Sequence, residues 1–401
     1  MEMKLIRGRV LLLLLIILSG SVMNACSADV IQNILPEGRE SESVPIDENK
    51  QRAETPRADT KQIAPPPEPQ EEISTGKYAY DHLTEEERVV YDEMLTAILN
   101  HDEKIKLSTT DLDLMRRAYT AVCGDYGGLF WVEGYVFTRY TKGEELVSLE
   151  FAPKYTMTVE ERQNTQIQID EIVGAWLAGI TINHTDYEKA KYVYELLALN
   201  TEYVQDVEDS QNIISVFLRQ QTVCQGYACA VQYLLNQLGV QSVIVSGVAL
   251  GEAHAWNLIR LDGEYYYMDA TWGNNGYRNR EGLETSFIDY NYMAMTTGEM
   301  LMGHVPDEGL ELPTCTAVTN NYYRKEGTWI ETWEPEAMGA ILSDAWMQGR
   351  VVTLRFADDF LKKQAFRYFI EEGFIADYCN GITEVNYIED DMWKEISFCF
   401  N

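Results

Sequence analysis

Cys224, His254 and Asp269 are the residues of this chain whose types and settings suit them to act together. Cys224 lies in Thr222-Val223-Cys224-Gln225-Gly226-Tyr227-Ala228, just where a helix is expected to begin. Val231, Leu234, Leu235 and Leu238 follow at helical spacing, and Gly239 stands where a helix stops. The N–H groups and macrodipole of a helix start favour a thiolate over a thiol, and the thiolate is the nucleophile.

A nucleophilic cysteine needs a base, and the base needs an orienting group. His254-Ala255-Trp256-Asn257 opens a strand, Asp262-Gly263 signals a hairpin turn, and Glu264 to Met268 returns toward Asp269. This hairpin brings His254 and Asp269 near its open end, side by side on one face. The result is thiolate, imidazole and carboxylate in the chain order Cys, His, Asp.

Cys224-Gln225-Gly226-Tyr227-Ala228, His254-Ala255-Trp256-Asn257 and Met268-Asp269-Ala270-Thr271-Trp272 together resemble the transglutaminase-like superfamily of thiol enzymes. The likeness covers about residues 185 to 275, and the three key positions are 30 and 15 residues apart. It implies an α+β fold with a papain-like core: the cysteine at a helix N-terminus, packed against an antiparallel sheet that carries the histidine and the aspartate. The family spans proteases, cross-linking acyltransferases, deamidating enzymes and inactive members. The chemistry implied is acyl transfer at a thiolate through a thioester and needs no cofactor or metal. Peptidase-like hydrolysis is the reading taken. Protein cross-linking comes second, and a non-catalytic cell-surface binding module third.

Other residues read more plainly. Cys229 lies inside the same helix between Ala228 and Ala230, as a small packing residue. His82, His101, His184 and His304 have no chemical company in the sequence and read as surface or structural. Tyr203, Gln225, Trp256 and Trp272 are candidates for the cleft wall or for substrate contact, Tyr203 by family analogy.

The chain opens like an export signal: Lys4, Arg7 and Arg9, then an apolar run from Val10 to Leu18, then Ala25-Cys26. A cysteine directly after such a run resembles a bacterial lipoprotein processing site, with Met23 and Asn24 departing from the commonest residues there. The expectation is a signal over 1–26 and a chain anchored through a lipid on Cys26 to the outer face of the cell membrane, with ordinary secretion as the alternative. Residues 27–77, with Pro65-Pro66-Pro67-Glu68-Pro69, read as a disordered, extended linker. Residues 78–180 read as a module of helices and a β-hairpin, and 181–310 as the thiol domain. Gly273 to Glu284 is expected to be a surface loop beside the site, and 320–401 a small α/β module with a strand near Tyr322.

Composition sets outer bounds. The chain has 401 residues and a formal net charge of −32, so phosphates would be repelled and nucleic acid is excluded as a partner. A protein, peptide or cell-wall peptide substrate is expected. The seven cysteines show no C-x-x-C pattern and no disulfide framework, and neither H-E-x-x-H nor a phosphate-cradling glycine loop occurs.

Overall fold

The computed structural model describes residues 39–45, 76–274 and 288–400. The expected export segment with Cys26, most of the expected linker and most of the expected Gly273–Glu284 loop lie outside the described residues.

Strand β1 (Arg39–Pro45) falls inside the stretch whose composition reads as linker. Helices α1 (Tyr78–Asp81), α2 (Glu85–Asn100) and α3 (Leu112–Asp125), with strand β2 (Ile105–Lys106) before α3, lead into a long hairpin of β3 (Val132–Lys142) and β4 (Glu145–Tyr155). The sheet order is β1-β3-β4-β2, with β1 parallel to β3. A strand edge presents N–H and C=O groups that pair with an extended neighbour whatever its side chains. The low apolar content of 39–45 is therefore no obstacle to that pairing. Capping boxes at Thr84/Glu87, Thr158/Glu161 and Thr185/Glu188 start α2, α4 (Val159–Trp176) and α5 (Asp186–Asn200), as their sequence signatures require.

Two short parallel strands, β5 (Glu202–Tyr203) and β6 (Gln221–Thr222), deliver the chain to α6 (Cys224–Gln237). After α6, Gly239 takes a positive φ of 75°, the left-handed step that ends many helices. Strands β7 (Ser242–Ala249), β8 (Glu252–Leu261) and β9 (Glu264–Met268) form an antiparallel meander. Asp262 and Gly263, both at positive φ, close the β8–β9 turn. Helices α7 (Ala270–Gly273) and α8 (Thr297–Met300) come next, and β10 (His304–Pro306) pairs on the far side of β7. The order is β10-β7-β8-β9. With helices packed on largely antiparallel sheets, the chain is α+β.

One hydrophobic cluster runs from Tyr78 to Cys315 and takes in Trp393, so α1–α4 share a core with the meander and α6. The seam is polar as well as apolar. Gln232 of α6 accepts the Gly127 N–H at 2.9 Å and donates to the Asp125 carbonyl. The buried Asp125 carboxylate accepts the N–H groups of Ala79 and Tyr80 and the Tyr91 hydroxyl. A side chain at Gly127 would collide with the backbone of Cys229, so α6 and the 127–128 turn touch main chain to main chain.

A second cluster spans Ile330 to Phe400. The strand expected near Tyr322 is instead helix α9 (Tyr322–Lys325), capped by Asn321, and the strand begins later as β11 (Trp329–Ile330). Asn321 accepts the Tyr323 N–H and starts the turn, while Tyr322 lies flat on Tyr290 at 3.6 Å. Helix α10 (Pro335–Gln348), β12 (Val351–Phe356), α11 (Asp359–Phe366), α12 (Ile375–Tyr378), β13 (Asn386–Asp390) and β14 (Glu395–Cys399) complete the chain, with strand order β11-β12-β14-β13.

This C-terminal part is keyed to the rest by a buried polar knot. Arg355 donates to Asn291 Oδ1 at 3.0 Å and to Glu299 at 2.6 Å, with its guanidinium against the rings of Tyr323, Trp329 and Trp393. Asn291 donates to Glu395 Oε2, while Glu395 Oε1 has no hydrogen-bond partner. Burial, reinforced by the charge of Asp289, pushes the Glu395 carboxyl from an ordinary 4.5 up to about 8. A raised carboxyl holds its proton in the folded state, so its stabilising share is lost as pH rises from about 4.5 through about 8. Glu395→Gln, an isostere of the protonated acid, should remove that loss. Urea unfolding at pH 6 and pH 9 is expected to show the variant gaining on the wild type at the higher pH.

Candidate functional site

Cys224 is the first residue of α6, with Val223 as its N-cap, and its side chain is buried at 1% exposure. The N–H groups of a first helical turn have no acceptor within the helix, which suits that end to an anion. Gly226 is demanded by crowding, since a side chain there would strike Thr222 Oγ1. Tyr203 stands opposite Thr222 in the β5–β6 pair, two residues before the thiol. The helix start is tied down from three directions. The Tyr227 hydroxyl donates to the Thr201 carbonyl at 2.6 Å, Asn274 donates to that hydroxyl at 2.8 Å, and Asn257 of β8 donates to the Ala228 carbonyl at 2.9 Å.

His254 and Asp269 meet as the hairpin reading expects. The β8–β9 register pairs Asn257 with Met268, and the two residues lie diagonally beyond that pair at the open end. His254 Nε2 is 2.7 Å from Asp269 Oδ2, both side chains being buried. The other oxygen, Oδ1, accepts the N–H groups of Thr271 and Trp272 at 2.9 and 3.2 Å, so Asp269 is also the N-cap of α7. The Asp269 N–H donates to the Tyr292 carbonyl. Trp256 and Trp272 flank the His254 ring, with centroids at 6.1 and 5.5 Å. Gln225 points along α6, donating to Cys229 Sγ at 3.4 Å, and lines a cleft with Thr120, Cys123, Ser246 and Asp307.

A second histidine joins the site without any sign of it in the sequence. His304 is structural rather than surface: it is 1% exposed and places Nε2 3.0 Å from the same Asp269 Oδ2. It arrives on β10, whose pairing with β7 puts it opposite Ala249. Gly247 makes the approach of β10 possible, since a side chain there would strike the Val305 and Pro306 backbone. Gly303-His304-Val305-Pro306 carries no motif that announces this, and the contact spans 35 residues.

Burial alone would push the Asp269 carboxyl up. The charges and N–H groups of His254 and His304 outweigh burial and hold it well below the ordinary carboxylate range. Donor atoms of His254, Asp269 and His304 lie within 4.8 Å of one another, a grouping of the kind metal ligands form. The contacts of 2.7 and 3.0 Å to one oxygen are hydrogen-bond lengths, shorter than the spacing of about 3.3 Å that a tetrahedral ion imposes with its bonds near 2.0 Å. The trio as it stands is a hydrogen-bonded cluster centred on Asp269 Oδ2. The cysteines at 123, 229, 315, 379 and 399 are free thiols.

Residues 175–270 match the family described as Transglutaminase-like superfamily. The Kyphoscoliosis peptidase of Mus musculus is 26% identical over 143 residues, covering 31% of this chain and 21% of the mouse protein. Its Homo sapiens counterpart is 28% identical over 156 residues, covering 35% of this chain and 23% of the human protein. The chain thus spans less than a quarter of the length of either relative. A solved structure described as a TGase overlays with a TM-score of 0.26 at 16% identity, over 46% of this chain and 53% of that one. The family match contains Cys224, His254 and Asp269 and ends before His304.

A carboxyl held low stabilises the fold above its ordinary value of 3.8, and that share is lost as pH falls from there toward its folded value. Asp269→Asn keeps an acceptor for the α7 cap but sets an amide against two imidazoles. Breaking this buried pair should cost about 3 kcal/mol at pH 7. Chemical unfolding at a series of pH values is expected to show the gap between wild type and variant narrowing below about pH 4.

Proposed function

We propose that this protein is an exported thiol enzyme that cleaves amide bonds, with Cys224 as nucleophile, His254 as its base and Asp269 as the group that orients His254. The buried 2.7 Å bond between His254 and Asp269 carries the reading. On this reading Nε2 of the ring serves the carboxylate and Nδ1 serves the thiol. The proton of Cys224 passes to Nδ1, and the anionic Asp269 stabilises the resulting imidazolium. The thiolate attacks the amide carbonyl, with the N–H of Cys224 as the natural donor to the oxyanion. The amine departs with the proton from His254, leaving a thioester. Water then hydrolyses the thioester, and the cysteine is restored.

Hydrolysis is favoured over cross-linking by the names of the curated relatives, which are peptidases. A lysine amine in place of water would make the same thioester a cross-linking intermediate. The substrate class proposed is protein, peptide or cell-wall peptide. Tyr203, Gln225, Trp256 and Trp272 are proposed to line its path, with α3 supplying the opposite cleft wall through Thr120 and Cys123. The proposed location is the outer face of a bacterial membrane, held through a lipid on Cys26.

Two experiments test this reading. A peptide library incubated with the purified protein should yield products that Cys224→Ala does not form, while the Ala variant keeps its melting temperature. Asp269→Asn should retain a residual rate, lowered by about two to three powers of ten in kcat, less than in a serine triad because the thiolate pair forms before substrate arrives. Full turnover by Cys224→Ala sinks the assignment. For the anchor, Cys26→Ser should shift the protein from the membrane fraction to the medium or leave it unprocessed. A wild type already in the medium and starting at another residue would establish ordinary secretion instead.

A further inference from the structure

His304 touches the carboxylate on which the proposed mechanism depends, yet the three-residue scheme gives it no part. Its ring is enclosed. Trp272 and Trp256 lie with centroids 4.3 and 4.9 Å away, Tyr292 at 6.4 Å and His254 at 5.5 Å. Both ring nitrogens are engaged. Nε2 is 3.0 Å from Asp269 Oδ2, and Nδ1 is 3.2 Å from the Met300 carbonyl oxygen. A carbonyl oxygen only accepts hydrogen bonds, and so does an ionised carboxylate. A neutral imidazole has one N–H and would turn a lone pair toward one of these oxygens. Only the doubly protonated ring donates to both.

We infer that His304 is a buried imidazolium and the fourth, positioning member of the site, fixing Asp269 Oδ2 in place and opposing a second positive charge on His254. The role of positioning the triad rests on the thiol-enzyme reading, whereas the charge on His304 does not. Among the described residues, the titratable groups around the ring are Asp269, His254 and Tyr292. With His304 cationic, Asp269 divides its negative charge between two imidazoles. His254 then gives up its proton more readily than it would to an undivided carboxylate, which is what its step as acid toward the departing amine requires. The arrangement also explains why Oδ2 does not rotate away: four N–H groups, two on each oxygen, saturate the carboxylate.

The test has one arm that needs no substrate. Nitrogen-15 spectra of histidine-labelled Cys224→Ala protein should show, for the resonance missing in Cys224→Ala/His304→Gln, protons on both ring nitrogens at pH 8. A single N–H there overturns the inference. In the second arm, kcat/KM is measured against pH for wild type, His304→Gln and His304→Ala. Glutamine still donates to Asp269 but carries no charge. Its profile should keep most of its height, with the alkaline limb moved up on the order of one pH unit, as expected for removing a cation about 5.5 Å away. Alanine should move the limb likewise and lose at least about tenfold in kcat, the donor being gone as well. Limbs that stay in place in both variants overturn the inference. A doubly protonated His304 in a protein that turns over no peptide would uphold the charge and remove the enzyme reading, so the two fail separately.

Discussion

The Asp269 carboxylate receives four N–H groups in a place that water does not reach, and much of the surrounding fold exists to deliver them. Two come from the backbone of the helix it caps, one from a histidine on β8 and one from a histidine on β10. A buried carboxylate without such donors would take up a proton and lose its use as an anion. The meander must therefore bring three strand ends together with little slack. The Asp269 N–H bond to the Tyr292 carbonyl sets the height of the group, and Asn291, next in chain to Tyr292, enters the polar knot with Arg355 and Glu395. Glu299, the other partner of Arg355, sits one residue before Met300, whose carbonyl meets His304. The C-terminal part is thus mechanically connected to the acid side of the site through two short paths.

Local signals made most of the elements legible. The three capping boxes, the Asp262-Gly263 turn and the Gly239 stop act through neighbouring backbone groups, so a short window of residues contains their whole cause. The meeting of His254 and Asp269 was readable for a related reason. A two-residue hairpin fixes its register by itself, and register fixes which side chains share a face.

What stayed hidden is non-local. His304 reaches Asp269 only because β10 crosses to the far side of β7, a pairing that Gly247 permits but no nearby residue specifies. The helix at Tyr322 is decided by an Asn321 cap and by stacking on Tyr290, thirty-two positions earlier, against a local run of aromatic residues that favours a strand. Likewise, the Arg39–Pro45 strand pairs with the backbone edge of β3, which its own composition does not announce.

The close contact of Gly127 with the backbone of Cys229 bears on how such a chain can change over evolutionary time. The stretch that matches the family begins at residue 175, but the helix that carries the thiol lies main chain against main chain with a turn about fifty residues before that start. Gln232, in the middle of that helix, spends both ends of its amide on the same turn. The heritable signature and the self-sufficient body are consequently of different lengths. A recombination joint at the signature's edge would carry off the Cys224 helix and leave behind the surface that supports it. The stretch from Tyr78 onward therefore travels as one piece, its early half free to drift in sequence only where it does not face α6.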